Sequence, residues 1–279
     1  MMKTGVVLAY GGHTEGNFRW CMENGIETCQ LHLALTDYTE ATQRRLRMIC
    51  GETGMEITAL IGAATGPAVY DFYSGPLTIG IIAPGWQGQR TKELAESAAF
   101  AAALGVPRVC GHMGFIPENP NDPAYASGIA AARWLARAYE KAGVGLDFET
   151  GQETPTTLLR AIEDIGSSCI GVNFDPANLL MYGKANPLDA LDILGPYVRG
   201  FHAKDGDYPK DARRLGPEKP LGEGRVDFPA IVQKLRRIGY DGPLTIEREI
   251  DGERQKEDIK KANAVLKDLI GRNVSYTIV

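Results

Sequence analysis

Along this chain, short apolar runs alternate with longer stretches in which apolar residues return every three or four positions. The runs fall at 5–10, 26–31, 56–61, 108–111, 145–149, 170–174, 198–202 and 244–247. They are apolar through most of their length and do not alternate, as parallel strands covered on both faces should read. Between them lie amphipathic stripes, among them Leu158, Leu159, Ile162 and Ile165; Ile231, Val232, Leu235 and Ile238; and Ile259, Val265, Leu266 and Leu269. Such stripes mark helices lying on a core. A glycine follows each predicted helix, at 25, 54, 105, 143, 166, 195, 239 and 271, where the left-handed residue just past a helix end has no Cβ penalty. Eight βα units in phase predict an α/β fold, a single (β/α)8 (TIM) barrel. The expected domain is 1–279, with the barrel proper from about 3 to 271 and a C-terminal extension after it.

The two longest connections, 62–90 and 203–228, both follow predicted strands. Long loops at that end of a barrel usually build a lid or a binding wall. Thr154-Pro155 reads as an N-cap followed by proline at the first helical position.

Composition changes this picture little. Apolar residues make up 44% and charged residues 23% of the chain, and the net charge is −5. With a pI near 5.5, there is no electrostatic footprint for a nucleic-acid backbone. Five cysteines, an odd number without a C-x-x-C pair, suit a reducing compartment. Neither a signal-peptide core nor an 18-residue apolar stretch is found, so a cytoplasmic protein without membrane spans is expected.

The chemistry lies at the carboxyl ends of the strands, where barrels of this kind carry their active sites. Four successive runs end in metal-competent side chains: Glu149, Asp175, His202 and Glu247. Three carboxylates gathered at one point raise one another's pKa unless a cation shares the site. An oxygen-rich set with one imidazole suits Mn²⁺ first, then Mg²⁺, Co²⁺ or Zn²⁺. The competing reading pairs some of these carboxylates with Lys204 or Arg248.

At these residues the sequence resembles the xylose isomerase-like TIM-barrel family of sugar isomerases and epimerases. The resemblance is carried by LDFETG (146–151), NFDPAN (173–178), FHAKD (201–205), LGEGRVDF (221–228) and GYDGPLTIE (239–247). It implies metal ligation by Glu149, Asp175, His202 and Glu247, with Glu149 and Glu247 doubling as acid and base. It also implies a sugar or cyclitol substrate that is isomerised or epimerised through an enediolate. The ketose 3-epimerase branch carries a histidine three residues after the metal aspartate and an arginine six residues after the metal histidine. Asn178 and Tyr208 stand there instead, a departure that bears on the substrate and not on the metal. Homo-oligomers are frequent among such barrels, an analogy only.

Further candidates for substrate contact are His112, Lys204, Asn178, His13, His32 and Trp86. For each histidine the alternative is a packed structural residue, for Lys204 an ion pair, and for Trp86 simple packing, as for Trp20. The GEGR segment at 222–225 lacks the Gly-Lys-Ser/Thr ending of a phosphate loop. Three other functions stay open: a metal-dependent lyase or hydrolase of keto-sugars or keto-glycosides, an endonuclease IV-like phosphodiesterase, and a sugar-binding barrel without catalysis. The second needs many histidine ligands, and the chain has four histidines.

Overall fold

The computed structural model describes residues 2–272; the C-terminal extension expected after 271 lies almost wholly outside them. Eight parallel strands form a closed barrel: β1 (Thr4–Ala9), β2 (Thr28–His32), β3 (Glu56–Ile61), β4 (Arg108–Gly111), β5 (Gly145–Glu149), β6 (Ile170–Phe174), β7 (Val198–Ala203) and β8 (Leu244–Ile246). Each pairs with its sequence neighbours, and β1 closes the ring on β8 through Thr4–Leu244, Gly5–Thr245 and Val6–Ile246. The main outer helices are Thr14–Glu23, Glu40–Thr53, Gln87–Leu104, Pro123–Ala142, Pro155–Ile165, Pro187–Leu194, Phe228–Arg237 and Glu253–Gly271. Thr154 caps its helix as expected, its side chain accepting from the Thr157 amide.

The apolar core lies between the outside of the barrel and these helices. Leu146, Phe148, Val172, Phe174 and Phe201 point into it together with Leu158, Ile162, Ile231 and Leu235. Val265 departs from its predicted stripe and is 41% exposed, while Ala262 occupies the buried face beside Leu266 and Leu269.

The inner face corrects the sequence reading. The strands from β5 to β8 do alternate: Asp147 and Glu149, Asn173 and Asp175, His202 and Lys204, Thr245 and Glu247 are polar and buried or nearly so. Their apolar neighbours face the helices, so one half of the barrel is filled with polar side chains.

Two inward glycines make room for this. A Cβ on Gly200 would stand 2.2 Å from Asn173 Oδ1, and one on Gly171 would stand 2.3 Å from Asp147 Oδ1. The first gap admits the hydrogen bond from Gln30 to Asn173, the second the ion pair of Asp147 with Arg108.

The glycine punctuation holds at six of eight helix ends, where Gly25, Gly54, Gly105, Gly143, Gly166 and Gly239 have positive φ. Gly195 does not act this way: its φ is −46°, and it opens a 3-10 turn that carries the chain directly into β7. Gly271 is the last residue of its helix. The 62–90 connection contains a short helix, Gly75–Thr78, and its last residues already belong to the helix starting at Gln87. The sequence reading also missed the helix Pro176–Met181 after β6 and the two-stranded ribbon of Asp205–Gly206 with Glu218–Lys219 after β7.

Candidate metal centre and active site

Glu149 is the last residue of β5, Asp175 and Glu247 stand just past β6 and β8, and His202 lies near the end of β7. The barrel brings all four together: one ligand atom from each lies within 4.8 Å of the others. That spread suits a single ion with metal–ligand bonds of ~2.0–2.6 Å. His202 Nδ1 is 3.3 Å from Glu149 Oε1, 3.3 Å from Glu247 Oε2 and 3.9 Å from Asp175 Oδ2. His202 Nδ1 and Asp175 Oδ2 are buried and make no hydrogen bond. Buried polar atoms are rarely left so, and here they converge on one point. The residues therefore fit a divalent ion, with three oxygen donors and one nitrogen.

Glu149, Asp175 and His202 are each held by further partners. Glu149 Oε1 accepts from Asn178 Nδ2 at 3.0 Å, and Oε2 accepts from the Cys110 thiol at 3.6 Å. Asp175 Oδ1 accepts the Asn178 amide at 2.9 Å, capping the Pro176–Met181 helix and leaving Oδ2 facing the cluster. The Thr150 hydroxyl clamps the main chain of Asp175, donating to its carbonyl and accepting from its amide. His202 Nε2 meets Gln30 Oε1 at 2.9 Å, and Gln30 Nε2 donates to Asn173 Oδ1. Outer partners of this kind fix ligand orientation in metal sites.

The electrostatics are those of buried charges that compensate one another. Burial opposes ionisation of Glu247, but Lys204 and His202 hold its carboxyl well below the usual range. For Glu149, burial is likewise outweighed by His112 and His202. Asp175 is pushed up, chiefly by burial, against the pull of Lys204. His202 is raised by Glu247 and Glu149 in spite of its burial.

The other predicted contacts separate. His112 lines the cavity above the cluster, with Nε2 3.8 Å from Glu149 Oε2 and its ring edge-on to Tyr70. His32, Asn178 and Lys204 also line it. Lys204 makes ion pairs with Glu247 (3.2 Å) and Glu249 (2.9 Å), which realises the alternative weighed for it. Arg248 is directed elsewhere, to Glu218 and Asp258. His13 is exposed at the start of the first helix, away from the cavity wall. Trp86 does not line the cavity: it packs over Gly66 and beneath the Arg90 guanidinium. Trp20, partly buried, packs against the core beneath Lys260. The sequence reading overlooked Gln30, Cys110, Asn173, Tyr182 and Glu249. For Gln30 a signal existed, an amide in the middle of the run Thr28-Cys29-Gln30-Leu31.

A closed parallel barrel with three carboxylates and an imidazole at the C-terminal ends of β5 to β8 defines a (β/α)8 protein whose rim could hold a metal ion. The chain belongs to the xylose isomerase-like TIM barrel family, whose profile matches residues 18–269. A xylose isomerase domain protein from Planctomyces limnophilus superposes with a TM-score of 0.90 at 32% identity, covering 96% of this chain and 97% of its own. An L-ribulose 3-epimerase of Mesorhizobium japonicum is 26% identical over 193 residues, 65% of this chain and 61% of that protein. A ketose 3-epimerase of Arthrobacter globiformis is 24% identical over 165 residues, 55% of this chain and 53% of that protein. The chain thus matches little more than half the length of these curated relatives. No helix among the described residues is long and apolar enough to cross a membrane.

Proposed function

We propose that this protein is a divalent-metal-dependent isomerase or epimerase of a keto-sugar or related cyclitol, acting in the cytoplasm. The observation that carries the reading is the convergence of Glu149, Asp175, His202 and Glu247 on one point, with Glu149 and Glu247 lining one cavity. The two relatives named as epimerases of ribulose and ketoses support it. Mn²⁺ suits a donor set of three carboxylates and one imidazole. Bound there, the ion would act as a Lewis acid on the substrate's carbonyl and adjacent hydroxyl.

The chain's own residues do the rest. Glu149 and Glu247 both line the cavity and stand on strands separated by β6 and β7. One carboxylate removes the proton beside the carbonyl, giving the enediolate. The other, entering as the acid, returns a proton to the opposite face in an epimerisation; in an isomerisation a proton goes to the neighbouring carbon and the hydroxyl proton passes between the two oxygens. General acid–base catalysis of this kind contributes ~10²–10⁴-fold. Lys204, paired with Glu247 and reaching the cavity, keeps that carboxylate ionised. Asn178 and Cys110 hold Glu149 in place.

A trinuclear phosphodiesterase centre, which needs many histidine ligands, finds no support: the metal-competent cluster found among the described residues has four members and one histidine. Metal analysis of the purified protein, followed by a ketose and inosose panel in heavy water, tests the proposal. Solvent deuterium in an isomeric or epimeric product is the expected result; loss of a substituent without isomerisation would favour a lyase, and protein that binds no divalent ion would end the proposal.

A further inference from the structure

The cavity above the ligands is larger and less cationic than a free or phosphorylated monosaccharide calls for. Its volume is about 820 Å³, towards the upper end of the ~300–1,000 Å³ of pockets that enclose drug-sized molecules. A single hexose ring fills only a fraction of that space. Across the ring from β7, at the end of β3, the wall is apolar: Ile61, Ala63, Ile79, Ile81 and Leu94, joined by Leu35. Tyr70 and Tyr182 also line the cavity, Tyr182 edge-on to Phe72 and Phe115.

The cations that reach this space are already engaged. Among the described lining residues they are Lys204 and Arg90, with the imidazoles of His32 and His112. Lys204 is held by Glu247 and Glu249. Arg90 donates to the main-chain carbonyls of Thr65, Pro67, Thr78 and Gly80 at 2.5–3.0 Å, tying the 62–90 connection together. Burial lowers the pKa of His32, and His112 faces Glu149.

The loop after β7 offers no free cradle of amides either. The amides of Gly206, Gly222, Gly224 and Val226 all donate to the Asp205 carboxylate, at 2.8–3.1 Å. Asp175 caps the helix that starts beside the cluster. Phosphate recognition uses a guanidinium, an ammonium or a bare set of amides. Away from the four clustered residues, a phosphoryl group would instead meet the Glu249 carboxylate in the wall.

We propose that the site takes an unphosphorylated keto-sugar carrying an apolar substituent, a glycoside with an aromatic or alkyl aglycone. Its reacting carbons lie over Glu149 and Glu247, and its substituent lies along the wall from Ile61 to Leu94. The catalytic part of this statement rests on the proton-transfer reading above; the binding preference does not.

The test uses the full chain loaded with Mn²⁺ and three matched compounds: a keto-glucose, its phosphate ester and its phenyl glycoside. Deuterium exchange in heavy water gives kcat/KM for each, and calorimetry gives each Kd. The glycoside is expected to show kcat/KM about tenfold or more above that of the free sugar and Kd about tenfold or more below it, and the phosphate ester the reverse in both. Ala64→Trp, which narrows the cavity at an exposed wall position, is expected to cut the glycoside-to-sugar ratio about tenfold. A phosphate ester that matches the free sugar overturns the proposal, as does a glycoside with no advantage in Kd. Preferential glycoside binding without exchange would uphold it and sink the proton-transfer reading alone.

Discussion

Gln30 Oε1 and His202 Nε2 meet 2.9 Å apart inside the barrel. The Gln30 amide nitrogen donates to Asn173 Oδ1, so its oxygen is the atom turned towards the imidazole. Nε2 must then carry hydrogen, and in the neutral ring that a metal ion would require the Nδ1 lone pair faces Glu149, Asp175 and Glu247. A residue on β2 thereby sets the tautomer of a ligand on β7.

That relationship gives the first prediction. Gln30→Met keeps the volume and removes the acceptor. Metal affinity should fall ~10–100-fold, as for other outer-shell partners of ligating histidines, with activity recovered at high Mn²⁺. Titration calorimetry with Mn²⁺ measures it; an unchanged Kd would show that Gln30 serves packing only.

The clustered carboxylates predict that metal stabilises the fold. Mn²⁺ at a hundredfold excess over its Kd should add about 2.7 kcal/mol, or roughly 5–10 °C in Tm for a chain of this size. EDTA should reverse the gain, and Asp175→Asn should abolish it. Scanning calorimetry with and without the ion decides; equal melting temperatures would contradict a shared cation.

Replacing the proton carriers should separate binding from chemistry. Glu149→Gln and Glu247→Gln are each expected to lower kcat by ~10²–10⁴-fold, even at saturating Mn²⁺. Deuterium exchange at the substrate carbon reads this directly. Retained exchange in either variant would remove that residue from the acid–base pair.

Glu153 predicts a pH effect on stability. It is buried, Oε1 makes no hydrogen bond, and burial pushes its carboxyl from 4.5 up to about 8. A folded-state pKa raised above the unfolded value means that the folded chain binds the extra proton. The contribution is fully present below about pH 4.5 and is lost as pH rises through about 8. A shift of that size corresponds to at most roughly 5 kcal/mol. Glu153→Gln should therefore raise Tm at pH 9 and leave it nearly unchanged at pH 4, both in EDTA; the opposite ordering would show Glu153 ionised in the fold.

Asp205 anchors the loop that closes over the ribbon. Asp205→Ala leaves four amides without their acceptor, and bonds to charged groups are worth ~1.5–3 kcal/mol each. Faster proteolysis within 206–226 and a lower Tm are expected. A Cβ on Gly224 would stand 2.2 Å from Asp205 Oδ1, so Gly224→Ala should do the same more mildly. Unaltered cleavage of both variants would show the loop held by other contacts.

The local code was legible in the chain itself. Hydrophobic period and glycine punctuation depend on neighbours within a few residues, so they identify eight strands, most helix ends and the barrel. The same logic places Glu149, Asp175, His202 and Glu247 at the rim, because each ends a strand whose direction the fold dictates. Gly195 shows the limit: an adjoining proline turn, and not a left-handed cap, leads into β7.

What only the tertiary structure decided is how atoms far apart in sequence satisfy one another. Gln30 and His202 are 172 residues apart, and no local pattern reveals their hydrogen bond. Lys204 became an ion pair and Trp86 a support for Arg90 because of what the closed ring brought beside them. The alternation within β5 to β8 was present in the letters, but its meaning depended on the barrel. A polar inner face fits only where glycines at 171 and 200 leave space for it.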